Sequence, residues 1–364
     1  MLIKEITDYI ESIAPLSLQE SYDNAGFITG NKEAELKAVL ITLDTIEEVV
    51  EEAVQKGANL IISHHPIIFK ALKSITGKNY IERTIIKAIK HDIAIYAVHT
   101  NLDNIHNGVN SILCKKLNLK NCKILKPLKN ELRKLVTFVP AVHAEKLRTA
   151  LFEAGAGNIG NYDKCSFNTS GEGTFKAGEL ANPFVGEINK IHTENEIRIE
   201  TVYPKYSENQ IISALLKAHP YEEVAYDLYT LENYFDKTGA GIIGEIEEPA
   251  NAVQFIKNLK EILKTRVIKH TKFPDKKIIK VALCGGSGSF LLQDAIKQKA
   301  DIFISSDFKY HEYFDADGKI IIADAGHYET EQFTKELIFD VLIKKFNNFA
   351  CFLSEINTNP INYI

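Results

Sequence analysis

The chain reads as an α/β protein: two half-domains of mostly parallel sheet, interrupted by a smaller α+β insert. Three observations carry this. Short apolar runs such as Ala38–Leu43, Leu60–Ser63 and Ala94–Val98 alternate with helical periodicity, as buried parallel strands do. The same alternation returns after Asn233. Between them, from about Leu128 to Glu232, the texture changes and carries its own start and stop signals.

The elements follow in order. Ile3, Ile6, Ile10 and Ile13 mark an N-terminal helix over residues 1–16, and SYDNAGF (Ser21–Phe27) is a polar turn. Strand Ala38–Leu43, helix Thr45–Gln55, a Lys56-Gly57 stop and strand Leu60–Ser63 form a β-α-β unit. Helix Tyr80–Lys90, strand Ala94–Val98 and helix Gly108–Leu117 follow. In the middle segment, LVTFVP, EIRIETVYP and EEVAYDLYTL read as strands. HAEKLRTALFEA and SENQIISALLKAH read as helices, with a Gly-rich stretch to Phe175 between the two halves. Two β-α-β-like halves make a ferredoxin-like pattern. The third part holds helix Ala250–Leu263, strand Ile278–Leu283, the turn CGGSGS, helix Phe290–Lys299 and strand Asp301–Ser305. Strand Lys319–Ala323 then leads into a helix running to about Phe346. The expected domains are thus 1–127 with 233–364, and an inserted 128–232.

A chain of 364 residues is long enough for about two domains, each with a core. Its 45% hydrophobic and 25% charged residues are ordinary for a soluble protein, and a net charge of −5 argues against nucleic-acid binding through bulk charge. Five scattered cysteines without a C-x-x-C read as reduced thiols, not a disulfide frame or thiolate zinc site. No apolar run reaches membrane-spanning length and the N-terminus is not a signal peptide, so the expected location is cytoplasmic.

Chemistry-bearing residues gather at strand ends. Ser63-His64-His65-Pro66 ends one strand; adjacent residues face opposite ways, so both imidazoles reach one site only if the chain turns there. His99-Thr100-Asn101-Leu102-Asp103 ends the next, with Asp103 a candidate ligand and His99 a ligand, a base or a residue that orients one. His327 and Glu331, four apart, share a face of the first turn of the last helix. Ser306–His311 ends a further strand. Four such ends on one edge of a parallel sheet would make a site in the place where open α/β sheets keep their chemistry. Imidazole and carboxylate without thiolate suits zinc, iron, manganese or cobalt. A helix carboxylate bridging two ions is a two-metal hydrolytic arrangement. Two dications against Asp103 and Glu331 leave net positive charge, which favours an anionic substrate. CGGSGS (Cys284–Ser289) is either a phosphate-holding turn or a tight turn that needs small residues.

SYDNAGF, LIISHHPIIF, AVHTNLDN, VALCGGSGS, SSDFKYHEY and IIIADAGHYETE, in that order, resemble the Nif-three-like family, the GTP cyclohydrolase I type 2 homologues. The middle segment resembles the PII/CutA-like insert of its longer bacterial members. The resemblance implies two α/β halves over a dinuclear site holding two divalent ions (Zn, Fe or Mn), in a toroidal homohexamer. The implied ligands are His64, His65, Asp103, His327 and Glu331, with Glu331 bridging. His99 and His311 fall in motifs lining that site and are the catalytic candidates. Tyr22 departs from the Trp of many relatives. Nothing in these residues reads guanine. Three functions fit: a two-metal hydrolase of a phosphorylated or nucleotide-like small molecule, a protein that holds or delivers iron or another metal, and a regulatory scaffold in which the insert senses a ligand.

Overall fold

The computed structural model describes residues 1–364. In chain order the first stretch contains α1 (Ile3–Ile13), β1 (Gly26–Thr29), β2 (Ala38–Thr42), α2 (Glu47–Gln55), β3 (Leu60–Ser63), α3 (Tyr80–Lys90), β4 (Ala94–Ala97), α4 (Thr100–Asp103), α5 (Val109–Lys116) and β5 (Lys120–Lys129). The middle holds β6 (Leu132–Pro140), α6 (Ala144–Glu153), β7 (Phe167–Lys176), β8 (Ile191–Pro204), α7 (Glu208–Ala218) and β9 (Tyr226–Leu231). The last third holds β10 (Tyr234–Ala250), α8 (Ala252–Ile262), β11 (Lys269–His270), β12 (Ile278–Ser287), α9 (Leu292–Lys297), β13 (Ile302–Ser306), β14 (Ile321–Asp324), α10 (His327–Glu331), α11 (Thr334–Lys345) and β15 (Ala350–Leu353). Two compact units result, Met1–Pro127 with Asp236–Ile364, and Leu128–Phe235. No helix is long and apolar enough to cross a membrane.

The discontinuous unit holds two sheets, not one. The five-stranded sheet has the order β1-β4-β3-β2-β15. Its β2, β3, β4 and β15 run parallel, while β1 lies antiparallel at the edge. Every residue of β2, β3 and β4 is buried, which explains their unbroken apolar sequence: helices cover both faces. Leu40, Ile61 and Ile95 of the sheet pack with Val49, Val50 and Ala53 of α2 and Ile85 and Ala88 of α3. The six-stranded sheet has the order β11-β14-β13-β12-β10-β5. Its β12, β13 and β14 are parallel, flanked by antiparallel β10 and β11. Ala282, Phe303 and Ile322 centre its core with Leu291, Leu292 and Ala295. The strand ends that carry His and Asp are therefore divided between sheets, β3 and β4 in one and β13 and β14 in the other.

Two further expectations are corrected. The helix after Asp324 is not continuous: α10 stops at Glu331 and α11 restarts at Thr334. The Gly-rich stretch before Phe175 is not all loop, because Phe167–Lys176 forms β7 against β8. β1, β5, β11 and β15 are short or polar and gave no clear period in the sequence.

The middle unit is a four-stranded antiparallel sheet of order β7-β8-β6-β9 with β-α-β-β-α-β connectivity. Leu135 and Val139 of β6 and Ile199 and Tyr203 of β8 pack against Leu147 and Leu151 of α6 and Ile211 and Leu215 of α7. Alternate residues face the other side of the sheet.

The chain end is tied down by one carboxylate. Glu52 accepts from Ser354 Oγ at 2.5 Å and Glu355 N at 2.9 Å, and Lys56 Nζ lies 3.3 Å away. Burial alone would raise its pKa, but these donors outweigh burial and hold it below the usual carboxylate range. A carboxylate with a lowered folded pKa stabilises above its unfolded pKa of about 4.3, and that stabilisation is lost as pH falls through the folded value. The melting temperature of the native protein should exceed that of Glu52→Gln near neutral pH, and the gap should shrink as thermal melts are taken below about pH 4.3.

Candidate metal centre

Six side chains from both sheets of the discontinuous unit converge. His64 and His65 follow β3, His99 and Asp103 bracket the short α4 after β4, and His327 and Glu331 lie one turn apart on α10. The two adjacent histidines reach the same place because the chain leaves the strand there: Ser63 Oγ donates to the His65 carbonyl at 2.8 Å, and the rings come to 4.8 Å between centroids. His65 also lies 5.3 Å from His99 and 5.3 Å from His327 by ring centroid.

Every imidazole is held by its Nδ1. His64 donates from Nδ1 to the Val98 carbonyl at 2.8 Å. A carbonyl only accepts, so a proton sits on Nδ1 and Nε2 is the nitrogen turned to the front of the cluster. Nδ1 of His65 meets Asp44 Oδ1 at 2.7 Å, that of His99 meets Asp23 Oδ1 at 2.7 Å, and that of His327 meets Asp307 Oδ2 at 2.6 Å. This is how metal-ligating imidazoles are oriented, with a carboxylate or carbonyl behind each ring. The three aspartates are in turn fixed: Asp23 by Thr100 N at 3.0 Å, Asp44 by Thr358 Oγ1 at 2.5 Å, and Asp307 by Ser287 and Ser306 hydroxyls.

The front of the cluster is unsatisfied. Nε2 of His64, Nε2 of His65 and Oε2 of Glu331 are buried and have no hydrogen-bond partner. His65 Nε2 and His327 Nε2 each lie 3.0 Å from Glu331 Oε2. For His65 the atoms are close without hydrogen-bond alignment, as when lone pairs point at a shared third atom. His64 Nε2 lies 3.7 Å from both Asp103 Oδ1 and Glu331 Oε1. Three triads could each hold a metal ion: His65, His327 and Glu331; His64, Asp103 and Glu331; and His64, His65 and His99. Glu331 is common to the first two and offers a different oxygen to each.

Glu331 is 3% exposed, and its charge is balanced by imidazoles. Burial would raise its pKa, but His327 and His65 hold it well below the usual range. Burial would lower the histidines, yet Glu331 and the aspartate behind each ring push His65 up to about 10 and His327 up to about 11. Burial raises Asp103 above the usual carboxylate range. The pocket thus draws positive charge, and a metal ion and protons compete there for the same lone pairs.

CGGSGS packs directly against the cluster. Gly285 N donates to Asn110 Oδ1 at 2.8 Å and Gly286 N to Thr330 Oγ1 at 3.0 Å, so these amides are spent inside the protein. Gly286 has a φ of +61°, and a Cβ there would stand 2.3 Å from Glu331 Oε1. Small residues are required because the carboxylate passes directly beneath.

His311 does not join the cluster. It lies exposed on the short 3₁₀ helix Tyr310–Ala316, its ring 5.2 Å from Tyr310 and 6.3 Å from Phe314. The useful residue of that segment is Asp307, whose left-handed backbone (φ 60°) turns it toward His327. Asp23 and Asp44 were also missed. Asp44 stands just past a buried strand, the same position that drew attention to His65 and His99.

The chain matches the family model described as Duf34/NIF3 (NGG1p interacting factor 3) over residues 1–360. It belongs to the DUF34/NIF3 family. Its relatives in that family include proteins named GTP cyclohydrolase 1 type 2 homolog. The one from Halalkalibacterium halodurans is 39% identical, covering 99% of this chain and 98% of that one. The one from Bacillus subtilis is 37% identical, with 99% and 98% covered. A Bacillus cereus protein related to NIF3 has a solved structure that superposes with a TM-score of 0.87 at 38% identity, covering 100% of this chain and 99% of that one.

If the aspartates orient ligands, Asp44→Asn and Asp307→Asn should each weaken zinc or manganese binding by about 10- to 100-fold in chelator competition, with the fold unchanged by circular dichroism.

Proposed function

We propose that this DUF34/NIF3 protein binds two divalent cations (zinc, iron or manganese) through His64, His65, Asp103, His327 and Glu331, with Glu331 shared, and that it is a metal-dependent hydrolase of a phosphorylated or nucleotide-like small molecule. One observation carries the reading: Glu331, buried, presents one oxygen to His65 and His327 and the other to His64 across from Asp103, among donors that lack any other partner. Bound cations would supply Lewis-acid activation of water and positive charge opposite a phosphoryl group.

The chain's own residues supply the rest. The cluster opens into a cavity of about 1240 Å³ in the discontinuous unit. Tyr22, Phe69 and Phe290 stand exposed along its walls, offering ring faces to the apolar part of a substrate. Arg83 also lines it and is paired with Glu47 at 2.8 Å. His99 lines the same cavity with Nδ1 fixed by Asp23, so Nε2 is the nitrogen at which a proton can be held or released. Desolvation would raise Asp23, but its bonds to His99 and Thr100 bring it down to about 2, so it stays ionised and keeps the ring oriented. His99 is thus the catalytic candidate that lines the cavity, and His311 lies outside it.

The test is elemental analysis of protein purified without added metal, followed by phosphatase, phosphodiesterase and cyclohydrolase assays. About two divalent ions per chain are expected. His64→Ala and Glu331→Ala should each lose most of the metal, and loss of a shared ligand should weaken both ions. His99→Ala should keep near-native metal content and lose turnover by about 100-fold or more. Full metal occupancy in Glu331→Ala would sink the ligand assignment. Metal binding with no turnover across the panel would leave a metal carrier instead.

A further inference from the structure

The Leu128–Phe235 unit has a second cavity, of about 680 Å³, built entirely from its own residues. It exists because of register. On the sheet face opposite α6 and α7, Gly171 of β7 stands directly across from Glu196 of β8, and Gly173 across from Glu194. Two glycines on one face of an edge strand leave a trough where side chains would otherwise fill. A Cβ built on Gly173 would lie 2.1 Å from Glu196 Oε2, so the carboxylate lies over that glycine. A Cβ on Gly171 would meet nothing within 4 Å, which places open space above it.

Aromatic rings wall the trough. Phe138 of β6, Phe175 of β7, Phe184 of the β7–β8 connection and Tyr221 after α7 all line it. Tyr221 lies 6.3 Å from Phe175 and 6.2 Å from Phe184 by ring centroid. The connection is pinned over the trough by Asn182 N donating to Glu222 Oε1 at 2.8 Å. Tyr221 is fixed at its other end, its hydroxyl donating to Glu196 Oε1 at 2.9 Å. Two cations line the same space: Arg198 is engaged, its Nε donating to Glu200 Oε1 at 2.9 Å with its guanidinium 5.7 Å from the Phe138 ring centre, and Lys176 stands on β7 at the alternate position to Gly171, Gly173 and Phe175, on the strand's other face. Glu196 is left with a neutral phenol as its partner.

We propose that this cavity is a binding site for an organic cation, a protonated amine on a flat aromatic or apolar body, with the ammonium against Glu196 and the body among the four rings. A carboxylate among aromatic faces attracts a cation twice, by direct charge and through the ring quadrupoles. The volume lies within the range of small-molecule sites, and the walls are largely apolar with few fixed polar groups, as in such sites generally. An anion would meet four carboxylates, Glu172, Glu196, Glu222 and Glu223, against Lys176 and an Arg198 already bonded to Glu200. The site shares no residue with the histidine cluster and stands whether or not that cluster hydrolyses anything.

The chain has no tryptophan, so indole fluorescence reports a ligand directly. Tryptamine is titrated against full-length protein, with the neutral isostere tryptophol and the anionic indole-3-acetate as comparisons. Saturable binding of tryptamine, one per chain, is expected, with the other two weaker by about tenfold or more. Gly171→Leu, which fills the trough from a position with room for a side chain, and Glu196→Gln, which keeps the Tyr221 hydrogen bond and removes the charge, should each raise the tryptamine Kd by about tenfold or more. Metal content should match the native protein in both. Absence of saturable tryptamine binding, equal affinity for the three indoles, or an unchanged Kd in either folded variant would overturn the proposal. If Gly171→Leu does not fold, Glu196→Gln decides.

Discussion

A buried carboxylate needs positive charge beside it, and the discontinuous unit is arranged around that need at Glu331. Removing an ionised carboxylate from water costs several kcal/mol unless partners repay it. The compensation here comes from both sheets: His327 from the helix after β14 and His65 after β3 hold the carboxylate down, with His64 beside them. Each ring is locked from behind by an oxygen on Nδ1, so none can swing away to satisfy itself elsewhere. Nε2 of His64, Nε2 of His65 and Oε2 of Glu331 are left buried without partners, in an arrangement that could hold a metal ion.

Local sequence serves that geometry at several removes. Gly286 is needed because the Glu331 carboxylate passes where a Cβ would stand. Asp307 adopts a left-handed backbone so that its side chain can reach His327. β15 and the residues after it bring Thr358 to Asp44, which holds His65. Packing of the chain end, far from the ligands in sequence, therefore bears on the orientation of a candidate ligand.

The Leu128–Phe235 unit follows the same physical logic with other means. One face of its sheet is filled by the apolar sides of α6 and α7. On the other, glycines at alternate positions in β7 remove side chains opposite acidic residues, and aromatic rings close the space that results. A hollow of this kind arises from strand register, since a slip by one residue would turn the glycines to the packed face and Phe175 with them.

The α/β class, the β-α-β units and the candidates His64, His65, His99, Asp103, His327 and Glu331, which the fold brings together, were legible in the sequence, because apolar runs ending in His and Asp are local signals. The pairs His64-His65 and His327–Glu331 were legible for the same reason: one turn or one helical repeat joins their members. Tertiary structure decided everything that depends on which strand lies next to which. It divided the strand ends between two sheets and set His311 aside. It also paired Asp23, Asp44 and Asp307 with rings 76, 21 and 20 residues away, and placed Gly171 opposite Glu196. Periodicity records which face of an element is apolar, whereas the partner of a polar atom is set by packing between elements distant in the chain.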